Sequence, residues 1–86
     1  MTSDGGPFRY RTDVLRDLER HGVRPTPGTR PELVRAFVRD LYLHEIRRLR
    51  AQMLRDEFPR REYASRVDRL RRKYNVLALL PRQMIE

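Results

Sequence analysis

The longest uninterrupted segment of the chain lies between Pro31 and Pro59 and contains no glycine and no further proline. Its apolar side chains recur every three or four residues, which is the spacing of one face of an α-helix. The stripe consists of Val34, Val38, Tyr42, Ile46, Leu49 and Met53. This pattern predicts a helix over residues 30–56, about 40 Å long at about 1.5 Å per residue. Thr29 and Glu32 have the spacing of a capping box at its start.

Two shorter helices are predicted on either side of the long one. Residues 12–21 carry apolar side chains at helical spacing, and Gly22 follows where a left-handed C-terminal residue belongs. Residues 59–74 form the third helix, and its apolar stripe has a heptad-like spacing. The stripe consists of Tyr63, Val67, Leu70, Tyr74 and Leu77. Because only a short break separates the long helix from the third, we expect the two to form an antiparallel helical hairpin.

A second apolar stripe runs along the N-terminal half of the long helix only, and it consists of Leu33, Phe37 and Leu41. We expect the first helix to cover this stripe, because so short a helix is not stable alone in water. The predicted fold is therefore all-α. A short N-terminal helix, a long central helix and a third helix would form a single small domain over residues 12–86.

The two ends of the chain have different compositions. Residues 1–11 contain two glycines and a proline without periodicity, and they predict a mobile arm whose end Phe8 and Tyr10 could attach to the domain. Residues 75–86 form an apolar tail. This tail either completes the core of its own chain or docks on a second molecule, and the residues available for docking or self-association are Val76, Leu77, Leu79, Leu80, Met84 and Ile85.

The sequence lacks the residues that several kinds of chemistry require. The chain of 86 residues has no cysteine, so disulfides and thiolate sites are excluded. His44 follows Asp40 by four residues, but two ligands do not make a metal site, and His21 is expected to favour a helix C-terminus. Ser65 has no histidine near it in sequence. We therefore expect no enzyme activity and no cofactor. Without an apolar run of about 18–20 residues or a secretory leader, we also expect a cytoplasmic protein.

Positive charge is concentrated in one part of the chain. Residues 47–73 hold eleven basic and four acidic side chains, which accounts for seven of the eight net positive charges. Arginine forks bind carboxylates and phosphates in a bidentate manner. The residues predicted to bind an acidic partner or another polyanion are Arg47, Arg48, Arg55, Arg66, Arg69, Arg72 and Lys73. A simple solvated helix face is the competing interpretation of such a run.

Two segments are similar to known families. Residues 45–72 resemble the short helical hairpins of SHOCT type, with a helix, a break, Phe58, and then Glu62 and Tyr63 opening a second helix. Residues 56–57, Asp-Glu, stand in the break where that family usually has a glycine. This resemblance implies an oligomerising or tethering module.

The second resemblance is to LYR-motif proteins, which are basic helical adaptors for an acidic acyl carrier protein. It rests on residues 41–43, Leu-Tyr-Leu, followed by Phe58-Pro59 and by residues 63–67, Tyr-Ala-Ser-Arg-Val. Leu43 stands where the motif has its arginine. This resemblance implies a protein that binds an acidic partner.

Two functions therefore stay open at the level of sequence. The first is a non-catalytic binding or adaptor protein, which uses the arginine-rich hairpin for an acidic protein and an apolar face or the tail for docking or for forming a homo-oligomer. The second is a nucleic-acid-binding protein of low specificity, which contacts phosphates through the same hairpin. We do not expect a membrane surface as the partner.

Overall fold

The computed structural model describes residues 6–86, so residues 1–5 of the predicted arm lie outside the described residues. The helices are α1, Thr12–Arg20, α2, Pro31–Leu54, and α3, Tyr63–Lys73. Short 3₁₀ turns lie at Arg60–Glu62, Asn75–Ala78 and Pro81–Gln83. The prediction of an all-α chain is confirmed. Within the described part, no helix combines the length and the apolar character that crossing a bilayer requires.

The start of α2 differs from the predicted capping box. Arg30 is the N-cap residue, Pro31 is the first helical residue, and no side chain caps the helix. The hydroxyl of Thr29 instead accepts a hydrogen bond from the backbone N–H of Thr26 at 3.0 Å, which closes a turn in the preceding loop. The capping-box prediction is wrong because Thr29 lies one residue before the position from which a side chain can reach the first turn.

The ends of α1 and α2 are both followed by a residue in the left-handed conformation. Gly22 has a φ of 74°, as its position predicted, and the N–H of Val23 donates to the carbonyl of Leu18 at 3.0 Å. After α2 the same conformation is taken by Asp56, with a φ of 58°. Aspartate enters this region more readily than most residues. An aspartate thus closes α2 in a position where glycine is usual.

The core lies at one end of the molecule, where α1, the N-terminal half of α2 and the chain after α3 meet. Its buried side chains are Tyr10, Val14, Leu18, Val34, Val38, Tyr74, Val76 and Met84. Leu18, Val38 and Met84 have no exposed surface at all. Because Val76 and Met84 belong to this cluster, the C-terminal tail completes the core of its own chain.

Hydrogen bonds hold the tail in place along its length. The guanidinium of Arg35, on α2, donates to the carbonyl of Leu79 at 2.9 Å and to that of Leu77 at 2.8 Å. Near the end of the tail, Ile85 forms an isolated antiparallel bridge with Tyr10. The described part of the predicted arm is therefore attached to the domain, with Tyr10 buried in the core.

The second apolar stripe is not covered in the way that the sequence led us to expect. Leu33 is 63% exposed and Phe37 is 54% exposed. The side chains of α1 share the core with Val34 and Val38, which follow Leu33 and Phe37 by one position each on α2. The α1 helix also packs on the Asn75–Ala78 turn. The prediction that α1 covers this stripe is wrong for Leu33 and Phe37, because α2 turns its 34/38 face to the core and the tail fills the space beside α1. Leu41, the third residue of the stripe, is partly buried against the core.

The α2 and α3 helices form the other end of a molecule that measures 57 × 17 × 17 Å. The rings of Tyr42 and Tyr74, which belong to the two predicted stripes, meet edge to face with their centroids 5.5 Å apart. No residue of α3 is fully buried, and Leu49 and Leu70 are half-buried. Most of the apolar burial thus lies at the α1 end of the molecule, away from the contact between α2 and α3.

This distribution of burial predicts unequal costs for two leucine substitutions. We expect Leu18→Ala to lower the free energy of unfolding by about 2–5 kcal/mol, because it leaves a cavity in the core. Leu49→Ala should cost about 1–2 kcal/mol, because that side chain is already partly in water. Urea unfolding followed by circular dichroism measures both values. Equal losses would show that α2 and α3 are held together more tightly than their burial indicates.

Candidate functional site

The residues predicted to bind a polyanion fall into two groups in the structure. Four of them already contact a carboxylate of the same chain. These contacts are Arg55 to Glu57 at 2.8 Å, Arg66 to Glu62 at 3.1 Å, Arg72 to Asp68 at 2.6 Å and Lys73 to Glu45 at 3.3 Å. Arg47, Arg48 and Arg69 are exposed, and within residues 6–86 none of the three has a carboxylate within ion-pair distance. Of the seven predicted residues, three therefore have no carboxylate partner in the described part of the chain.

A groove of about 500 Å³ runs between α2 and α3 and brings several of these cations together. Its lining residues are Glu45, Arg48, Leu49, Gln52, Arg66, Arg69, Leu70 and Lys73. Leu49 and Leu70 contribute apolar surface, whereas four cations and only one carboxylate contribute charge. The groove thus offers both an electrostatic and an apolar contact to the same ligand.

Arg66 has a structural role that its sequence pattern did not indicate. Its guanidinium carbon lies 4.2 Å from the centroid of the Phe58 ring, which is a cation–π distance. Phe58 is buried after the end of α2, and Glu62 holds the other side of the guanidinium. The Nε of Arg66 is buried without a hydrogen-bond partner among the described residues. Arg66 therefore fixes the start of α3 and presents only part of its charge to the groove.

A polar network closes the end of the groove nearest the core. The hydroxyl of Tyr74 donates to the Glu45 carboxylate, and the ammonium of Lys73 donates to both oxygens of the same carboxylate at 3.3 Å. The ring of His21 stacks on that of Tyr74 with centroids 4.3 Å apart. Its Nε2 donates to the carbonyl of Lys73 at 3.0 Å. His21 was expected at a helix C-terminus, and in the structure it also caps the last residue of α3.

The environment of this network shifts two pKa values. Burial of the Tyr74 hydroxyl, together with its hydrogen bond to Glu45, raises the pKa of Tyr74 to about 12. Burial also acts to raise the pKa of Glu45, but the hydrogen bonds from Tyr74 and Lys73 outweigh it, so that this pKa lies below its ordinary value. At neutral pH the network therefore contains a neutral Tyr74 hydroxyl and an ionised Glu45 carboxylate.

Glu45 and Arg35 were missed by the sequence analysis. Each of them binds a segment that is distant in sequence: Glu45 contacts residues 73–74, and Arg35 contacts residues 77–79. Nothing local distinguishes these two residues from other charged residues of the long helix. Only the return of the chain after α3 gives them their partners.

The predicted docking residues are only partly accessible. Val76 is 3% exposed and Met84 is fully buried, so neither can form a docking surface in this conformation. Leu77, Leu79 and Ile85 are half-buried against the core. Of the set, Leu80 alone is exposed, at 47%. The reason is that the tail uses its apolar side chains to complete the core of the same chain.

Comparison with known proteins finds no matching protein family, no similar curated protein and no similar solved structure. The resemblances to SHOCT-type hairpins and to LYR-motif adaptors therefore stay predictions. The described residues also contain no group of three or more histidine, aspartate or glutamate side chains that could hold a metal ion. The site is thus characterised by its own geometry: a cationic groove with an apolar lining.

The raised pKa of Tyr74 predicts a loss of stability at alkaline pH. Because the hydroxyl ionises near pH 10 in the unfolded chain but at about 12 in the fold, its contribution is complete below pH 10 and is lost as the pH rises toward 12. Burial and Glu32 raise the pKa of Tyr10 as well. We therefore expect Tyr74→Phe to reduce the alkaline loss without abolishing it, as measured by urea unfolding on both sides of pH 10.

Tyr63→Phe is the matched control for this prediction, because Tyr63 is a half-exposed tyrosine at the first position of α3, whereas Tyr74 is the residue that follows its last. Its removal should leave the alkaline loss as it is in the parent protein. An alkaline profile that is the same for Tyr74→Phe and for the parent would contradict the role given to the Tyr74–Glu45 contact.

Proposed function

We propose that this protein is a non-catalytic adaptor that binds an acidic, amphipathic segment of a partner protein in the groove between α2 and α3. The partner segment would place carboxylates against the arginines of the rim and apolar side chains against the leucines of the groove. We also place this interaction in the cytoplasm, as part of the same proposal. An amphipathic helix binds in a groove of this kind by inserting the apolar side chains that recur at helical spacing along one of its faces.

One observation carries the proposal: charge and apolar surface occur together in a single groove. Arg48 and Arg69 have no carboxylate within ion-pair distance among residues 6–86, and they line the groove together with Leu49 and Leu70. Exposed ion pairs alone add little affinity. Apolar contact adds affinity that does not depend on salt, so the combination favours a ligand with both kinds of side chain.

The alternative is a nucleic acid of any sequence, bound through its phosphates. Phosphate binding needs closely spaced unpaired cations, and four of the seven predicted residues already contact a carboxylate. It makes no use of the leucines in the groove. The acidic protein segment is therefore the better-supported ligand, and the nucleic acid is the competing outcome of the test.

The test is a comparison of three fluorescent peptides by anisotropy. The first has glutamates on one helical face and leucines on the other, the second has glutamines in place of the glutamates, and the third has serines in place of the leucines. We expect the first to bind at least about tenfold more tightly than the other two. Binding of random duplex DNA with a steep salt dependence, and no competition from the first peptide, would favour the nucleic-acid alternative.

Two pairs of arginine substitutions connect the binding to the groove. We expect Arg48→Gln with Arg69→Gln to weaken binding of the first peptide by about tenfold or more, because both charge-assisted contacts are lost. Arg16→Gln with Arg82→Gln removes the same total charge from exposed positions outside the groove, and it should change the affinity less than about twofold. Equal losses from the two pairs would mean that the net charge, and not the groove, attracts the peptide.

A further inference from the structure

Two strongly exposed apolar side chains lie on the N-terminal half of α2, outside the cationic groove. Leu33 and Phe37 are one helical turn apart, with 63% and 54% of their surfaces exposed. Asp40 is exposed and lies on the same face of the helix as Phe37, which precedes it by three residues. Arg30, the exposed N-cap residue of α2, precedes Leu33 by three residues at the other end of this face. We call these four residues the α2 face. The face thus has two large apolar side chains between opposite charges. Removal of its apolar surface from water would be favourable.

The order of residues on the α2 face is symmetric about position 35. Leu33 and Phe37 lie two residues on either side of it, and Arg30 and Asp40 lie five residues on either side. If a second copy packs against this face in the antiparallel direction, Leu33 of one copy meets Phe37 of the other. Arg30 of each copy then lies level with Asp40 of the other. An isologous contact of this kind repeats each pair twice about its axis.

We propose that the α2 face is a self-association surface on which a second copy of this chain packs antiparallel, about an axis at residue 35. The charges of the face support this occupant. Arg30 has no carboxylate within ion-pair distance among residues 6–86, and Asp40 has only a long contact of 3.9 Å with the neighbouring Arg39. Both charges gain a partner in the antiparallel dimer.

The distribution of net charge also selects the antiparallel direction. The excess of positive charge lies in residues 47–73, and the molecule is 57 Å long. An antiparallel contact through the N-terminal half of α2 directs the two cationic ends away from each other. A parallel contact would bring them side by side and would be opposed by their repulsion.

The contact area sets the strength of the association. Two large apolar side chains per copy bury much less than the about 1,200 Å² of a standard interface, so the dimer is weak. Sedimentation velocity of the full chain from about 10 µM to about 1 mM covers the expected range of dissociation constants. A protein that stays monomeric over this range leaves the α2 face to a different partner and overturns the proposal.

The apolar contact is tested by Phe37→Gln, with Leu54→Gln as the matched control. Leu54 is also 54% exposed, but it lies at the opposite end of α2. We expect Phe37→Gln to raise the dissociation constant of the dimer by about tenfold or more and Leu54→Gln to change it less than about twofold. Similar effects of the two substitutions would indicate non-specific apolar association and would overturn the proposal.

The charge contact is tested by exchanging its partners. Arg30→Asp alone and Asp40→Arg alone should each weaken the dimer about fivefold or more, and the double exchange should restore it to within about twofold. Arg30→Asp is the sharper of the single variants because it lowers the net positive charge. A dimer opposed only by general repulsion would become stronger in that variant, and this result would contradict the proposed pairing.

The direction of packing is measured through a spin label. Because the chain has no cysteine, Arg47→Cys gives a single labelling site at an exposed position of α2. In the antiparallel dimer the two labels are separated by 24 helical residues, or about 36 Å along the axis. A parallel pair would bring them to about 10 Å, the spacing of packed helices. A distance in the shorter range would overturn the antiparallel arrangement.

Discussion

Burial of the C-terminal tail between α1 and α2 is the constraint on which the rest of this structure depends. The first helix has nine residues and would not be stable alone in water. Its buried side chains, Val14 and Leu18, share one cluster with Val76 and Met84 of the tail. Arg35 adds two hydrogen bonds to tail carbonyls. Without the tail, α1 would lose most of the surface that it packs on.

This arrangement determines how the rest of α2 is exposed. The tail and α1 occupy the side of the helix that carries Val34 and Val38, so the neighbouring Leu33 and Phe37 face outward. Beyond Tyr42, the described part of the chain packs on α2 mainly through α3, and no residue of α3 is fully buried. The molecule therefore has a well-packed end with an uncovered apolar face and a thinner end with a cationic groove.

The network around Glu45 joins these two ends. Its carboxylate accepts hydrogen bonds from Tyr74, which belongs to the core, and from Lys73, which lines the groove. His21 connects α1 to the same point through its stacking on Tyr74 and its contact with the last carbonyl of α3. The position of α3, and so the shape of the groove, thus depends on a partly buried cluster at its C-terminal end. A ligand in the groove would lie directly beside this network.

The sequence by itself determined the helical class, the three helices and the place of the positive charge, because helical spacing, Pro31 and Gly22 act through neighbouring residues. Only the tertiary structure decided that Leu33 is exposed while Val34 is buried. It also decided that Arg66 lies on Phe58, whereas Arg48 and Arg69 have no ion-pair partner within residues 6–86. These outcomes depend on which segment the returning chain places beside each residue. A side chain's own sequence neighbourhood contains no information about a partner that lies 28 or 44 positions away.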